Sequence, residues 1–161
     1  MKKRRDKKYV PKHVGNPFIE VFGGMSDMHA EQTTTIQAKT ASAVQAMVQG
    51  RGERVHFDLI VGAVNIANVM CEMGIGPEYR EEILAAHNAM LEAGKRALKS
   101  GKFGFTGDEL RRINEFTEIH DAQLRASRAL DVNRAAMEVA RRVRYRINST
   151  SVRRELEREA A

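Results

Sequence analysis

Three glycine-marked stops, at Gly50, Gly74 and Gly101, constrain this sequence more than any other feature. A glycine just past a run of helical periodicity can take the left-handed conformation that closes a helix. Between these stops, apolar residues recur at spacings of three and four, and do not alternate. Ile36, Thr40, Val44, Met47 and Val48 mark a first helix from Ser26 to Gln49, with Ser26 as its N-cap and Asp27 against its positive end. A second helix, from about Arg54 to Met73, carries Leu59, Ile60, Ala63, Ile66, Ala67, Met70 and Met73 on one face. A third starts at Gly76-Pro77, with proline at the first helical position, and shows the stripe Tyr79, Ile83, Ala86, Met90, Ala93 and Ala97.

The clearest start signal is Thr106-Gly107-Asp108-Glu109, a capping box in which the Thr106 hydroxyl takes the third amide and Glu109 reaches back. Leu110, Ile113, Phe116, Thr117, His120 and Leu124 follow on one face. The pattern weakens near Asp131 and resumes at Val132, Ala136, Val139, Val143 and Ile147. This leaves open one long kinked helix or two helices with Asp131 as a cap. Phe103 and Phe105, in the connector before the box, are expected to fold back on the core. Short glycine-marked turns between such helices predict an all-α, antiparallel bundle of four to five helices over 25–152. Residues 1–24 read as a basic, largely irregular arm, broken by Pro11, Pro17 and several glycines, with the apolar run Phe18–Phe22 as an anchor. Residues 153–161 read as a charged tail.

At 161 residues the chain has the length of one domain. Hydrophobic residues make up 42% but aromatics only 6%, so the core must be mainly aliphatic. A single cysteine, Cys71, excludes an internal disulfide framework and a cysteine-rich zinc site, and suits a reducing compartment. No stretch reads as the roughly 18 apolar residues of a membrane span, and no long apolar run follows the basic N-terminus as a secretory signal requires. The expected location is the cytoplasm.

The first place for chemistry is a polar layer inside the bundle: Asn65 and Asn68 from the second helix, His87 from the third, and His120, Asp121 and Gln123 from the fourth. His120 shares the stripe of Phe116 and Leu124, so it needs a partner, which Asn65 or His87 can supply; an unpaired polar group there costs roughly 1–3 kcal/mol. The layer is a small pocket or, on the stronger reading, a satisfied network that fixes helix register. His87 with His120-Asp121 also suggests a helical metal-dependent phosphohydrolase. That class needs a further, later aspartate, and none occurs after Asp131. Glu53-Arg54-Val55-His56 is one copy of a spacing that dinuclear carboxylate bundles use twice, and reads as a solvated helix start. No nucleophile elbow, phosphate loop or dinucleotide fingerprint occurs, so no metal, cofactor or catalytic set is assigned.

The second place is basic surface, in a chain of net charge +6. Lys2, Lys3, Arg4, Arg5, Lys7 and Lys8 form one cluster; Arg141, Arg142, Arg144 and Arg146 form another. Together they could track a phosphate backbone. Val143 and Ile147 continue the buried stripe through the second cluster, which favours an ordinary solvated helix face.

The segments Asn65-Ile66-Ala67, Gly74-Ile75-Gly76, Ala85-Ala86-His87-Asn88-Ala89, Phe105-Thr106-Gly107-Asp108-Glu109-Leu110 and His120-Asp121-Ala122-Gln123-Leu124 span roughly the middle third of the chain. In these segments the chain resembles a group of small proteins of bacteriophages and prophages of proteobacteria that carries no assigned activity. The resemblance implies an accessory protein, made in a bacterial cytoplasm, that binds a host or viral macromolecule. The expectation is therefore a non-enzymatic protein-binding chain, a regulator or inhibitor, with nucleic-acid binding through the two basic clusters as the alternative. Self-association is compatible with either, and a membrane partner is not expected.

Overall fold

A computed structural model describes residues 29–145. Five helices form an all-α bundle: α1 (His29–Val48), α2 (Arg54–Glu72), α3 (Arg80–Ser100), α4 (Gly107–Ala126) and α5 (Ala129–Tyr145), with one 3-10 turn (Pro77–Tyr79) leading into α3. Among the described residues there is no strand, only an isolated antiparallel bridge between Gly52 and Phe103. The expected N-cap Ser26, the arm over 1–24, Arg146 and the tail lie outside the described residues.

The helix at the centre is α2. It packs against α1, α3, α4 and α5. Its burial follows no single stripe: Ile60, Val61, Gly62, Ala63 and Val64 are all buried in succession. A helix that loses water on every side must be apolar on every side. This corrects two sequence expectations, the one-faced second helix and the absence of a span-length apolar stretch. By length and composition α2 is long and apolar enough to cross a membrane, and most of its apolar window is buried inside the bundle. Asp58, Asn65 and Asn68 interrupt the run when residues are counted consecutively. The surrounding helices supply the physical reason for its apolarity.

The other helices bury stripes. Ile83, Ala86, Met90, Ala93 and Ala97 of α3 are buried as expected, whereas Tyr79 is exposed, because the proline opens a 3-10 turn and the α-helix proper starts at Arg80. Ile113, Phe116, His120 and Leu124 of α4 enter the core, as do Val132, Ala135 and Val139 of α5. Gly50, Gly74 and Gly101 all have positive φ at the predicted stops. The chain breaks at Ser127-Arg128, so residues 107–145 form two helices. Asp131 is not the cap. It sits in the first turn of α5 and accepts from the Arg128 backbone N–H at 3.3 Å and the Arg128 Nε at 3.1 Å.

Candidate functional site

The polar layer is smaller and more tightly closed than its residue types suggest. His120, from α4, is 2% exposed and its ring lies nearly parallel to that of Phe116, with centroids 5.5 Å apart. Its partner is on its own helix: His120 Nδ1 is 3.3 Å from Gln123 Oε1. Gln123 Nε2 donates to the Ile75 carbonyl at 2.9 Å and the Ala67 carbonyl at 3.3 Å, and lies 3.4 Å from Cys71 Sγ. Those carbonyls can only accept, so the amide nitrogen must face them and Oε1 is left to accept from His120. The imidazole proton therefore sits on Nδ1. Cys71 in turn donates its thiol to the Gly76 carbonyl at 3.1 Å. Gly76 has a φ of 66°, and a Cβ there would stand 3.2 Å from Gln123 Cγ. The node thus ties the α2–α3 turn to α4.

Burial pulls the imidazole of His120 well below its usual range, to about 4, against the opposing hydrogen bond that it donates to Gln123 Oε1. Burial likewise raises the Cys71 thiol, so it is a packed group and not a ready thiolate. His120 Nε2 is buried with no partner among the described residues. The other expected members stand apart from this node. Asn65 and His87 are half-buried, and His87 Nε2 has no partner among the described residues. Asn68 is half-buried and its Nδ2 reaches Glu72 Oε1 at 3.5 Å. Burial raises the Asp121 carboxyl, opposed by Arg125 and by a hydrogen bond to Gln37 of α1. Among the described residues, no three His, Cys, Asp or Glu side chains gather where a metal could be held. The Glu53–His56 spacing closes the start of α2, with the Glu53 backbone N–H donating to His56 Nδ1 at 3.0 Å.

The arginine run on α5 is largely committed. Arg141 forks onto Glu138 at 2.7 and 2.8 Å. Arg142 bridges Glu138 at 2.7 Å and Glu72 of α2 at 2.5 Å. The two guanidinium groups hold the Glu138 carboxyl down, to about 2. Arg144 lies 5.8 Å from the Tyr145 ring centroid and is exposed. Two arginines and two carboxylates therefore cancel, leaving less free positive charge than the sequence suggests.

A feature the sequence reading did not assemble lies at the end of the bundle where α1 and α3 finish and α4 begins. A groove of about 870 Å³ opens there, with Val48, Lys99, Lys102, Phe103, Phe105 and Leu110 among its lining residues. Its cationic residues are Arg96, Lys99 and Lys102, and among the described residues no aspartate or glutamate lines it. The walls are held from several directions. Gly52 and Phe103 pair across the groove, and a Cβ on Gly52 would fall 2.4 Å from the Phe103 carbonyl oxygen, so only glycine permits the approach. Phe103 also packs on Phe57 with ring centroids 5.5 Å apart. Arg96 forks onto Glu109 with both contacts at 2.5 Å and donates to the Gly104 carbonyl at 3.2 Å. Burial works to raise the Glu109 carboxyl, but Arg96 and Thr106 outweigh it and hold it below the usual range. The predicted capping box is present, with the Thr106 backbone N–H donating to Glu109 at 2.8 Å and the Glu109 N–H to Thr106 Oγ1 at 3.4 Å.

The sequence carried a partial signal for this groove, in two aromatics among the glycines of 101–107 beside Lys99 and Lys102. It carried no sign that the turn at Gly52 would meet them. No family model, curated protein or solved structure matches this chain.

Proposed function

We propose that this chain is a non-enzymatic accessory protein of phage type that binds a host or viral protein in the bacterial cytoplasm, as a regulator or inhibitor. The observation that carries this reading is the pattern of large apolar side chains left in water beside basic ones. Met137 is 72% exposed on α5, with Leu130 seven residues before it on the same face and Arg134 between them. Val48 is 52% exposed at the groove. Methionine, aromatic and arginine side chains clustered around apolar surface are the composition of protein interfaces. The resemblance of the middle of the chain to phage and prophage proteins supplies the context.

Nucleic-acid binding loses part of its basis, since Arg141 and Arg142 are paired with Glu138 and Glu72. The test is affinity capture from an expressing bacterium, with and without nuclease. A protein retained in equal amount after nuclease treatment is the expected result. Loss of all captured material on nuclease treatment, together with binding that falls steeply with salt, would replace this reading by the nucleic-acid one.

A further inference from the structure

We infer that the groove at the glycine-rich end of the bundle docks an acidic segment of a partner protein, one that carries a bulky apolar side chain flanked by carboxylates. The inference rests on the protein-binding reading and names its site and the chemistry of its partner.

The sign of the groove is set by side chains. Helices α1 and α3 bring their negative C-terminal ends to this region, and α2 and α4 their positive N-terminal ends, so the backbone dipoles offset one another. Among the described residues, three cationic side chains and no carboxylate line the groove. The charge of Arg96 is spent on Glu109. Lys99 and Lys102 are exposed and have no acidic partner among the described residues, so two ammonium groups stand free at the rim. Exposed Val48 of α1, with the half-buried Phe105 and Leu110, offers apolar contact to a side chain of the occupant. The walls are already in place, through the Gly52–Phe103 bridge and the grip of Arg96 on Glu109 and Gly104. An occupant therefore pays little to organise them.

Charge also discriminates among occupants. A cationic occupant, such as a stretch with the charge of Lys2–Lys8, would carry the same sign as the rim. A nucleic acid would want a longer track of cations and open aromatic faces for its bases. Here two lysines are free, and the Phe103 ring is engaged with Phe57. On the outer face of α5, by contrast, Arg141 is already paired with a carboxylate of its own helix.

The test uses the full-length ¹⁵N-labelled chain and a short synthetic peptide of glutamates and phenylalanines. Control probes are the same peptide with lysine for glutamate, the same peptide with alanine for phenylalanine, and an oligothymidylate of equal charge. Two variants report on the site: the double charge reversal K99E/K102E, and V48E. All three positions are exposed, so the backbone spectrum of each variant should match that of the parent away from the substitution. The inference expects the glutamate–phenylalanine peptide to shift amide signals at 48–52 and 99–107, each variant to weaken binding about tenfold or more, and both altered peptides to bind more weakly. It is overturned by peptide binding that K99E/K102E and V48E leave unchanged, by shifts confined to other surfaces, or by an oligothymidylate that binds the groove more tightly than the peptide. Capture from bacteria separates the two levels. A protein retained equally by the parent and by K99E/K102E removes the groove and keeps the protein-binding reading. Peptide binding at the groove with no protein retained by either chain keeps the groove and removes that reading.

Discussion

At the scale of single residues, two positions carry consequences that can be measured. His120 is neutral in the fold, with burial holding it at about 4 against the ordinary 6.5. Between those values the unfolded chain takes up a proton that the folded chain refuses. Stability is therefore full above about pH 6.5 and falls as the pH drops toward 4, by on the order of 3 kcal/mol for this group. Denaturant unfolding across that range should show the loss, and His120→Phe, which keeps a ring against Phe116, should flatten it. An equal slope in the variant would show that His120 is not the source of the loss. Gly52 is the second position. Its alanine variant must push the Phe103 carbonyl away, and Met47 Cγ at 3.0 Å leaves no room on the other side. The expected cost is about 1–3 kcal/mol, with altered amide signals at 101–107. An unperturbed loop would mean that the bridge does not hold the groove's wall.

At the scale of elements, α5 is held to the bundle by a short apolar stripe, a hydrogen bond from Gln32 Nε2 of α1 to Asn133 Oδ1 at 2.7 Å and, among the described residues, one cross-helix ion pair. Val132, Ala135 and Val139 supply the buried surface, and Arg142 reaches Glu72 of α2. Removing that guanidinium should loosen α5 alone. For Arg142→Ala, hydrogen exchange is expected to speed up by roughly tenfold over 129–145, while α2, α3 and α4 keep their protection. Uniform acceleration in all helices would contradict this. The elements were also the most legible level of the sequence. Gly50, Gly74, Gly101 and the Thr106–Glu109 box act through bonds within a few residues, so their meaning is written locally. The break before α5 was half legible: the weakening near Asp131 was visible, but the cap position depends on the extended backbone at Ser127. The candidate sites were least legible. The Gln123–Ala67 and Gly52–Phe103 contacts join residues about fifty positions apart, and nothing in local spacing announces such a meeting. His120 could be placed in the core from its stripe. That its partner is Gln123, and not His87 or Asn65, follows from how α4 turns toward the α2–α3 turn.

At the scale of the molecule, one continuous apolar core runs through all five helices. With α2 touching each of the others, no pair of helices closes its own core. The expected unfolding is one cooperative transition, with calorimetric and van 't Hoff enthalpies in agreement. A separate early transition restricted to α5 would show that the bundle divides there.

The central position of α2 also has a consequence for the order of synthesis. The helix is finished at Glu72, whereas the last helix that covers it ends at Tyr145. At about 5–20 residues per second, the ribosome needs on the order of four to fifteen seconds to make the intervening chain. At the start of that interval a segment apolar enough for a membrane has, among the described helices, only α1 to lie against, and α3, α4 and α5 cover it in turn. Until then the sides of α2 that the later helices bury stay open to water, so its apolar surface is covered only as the bundle is completed.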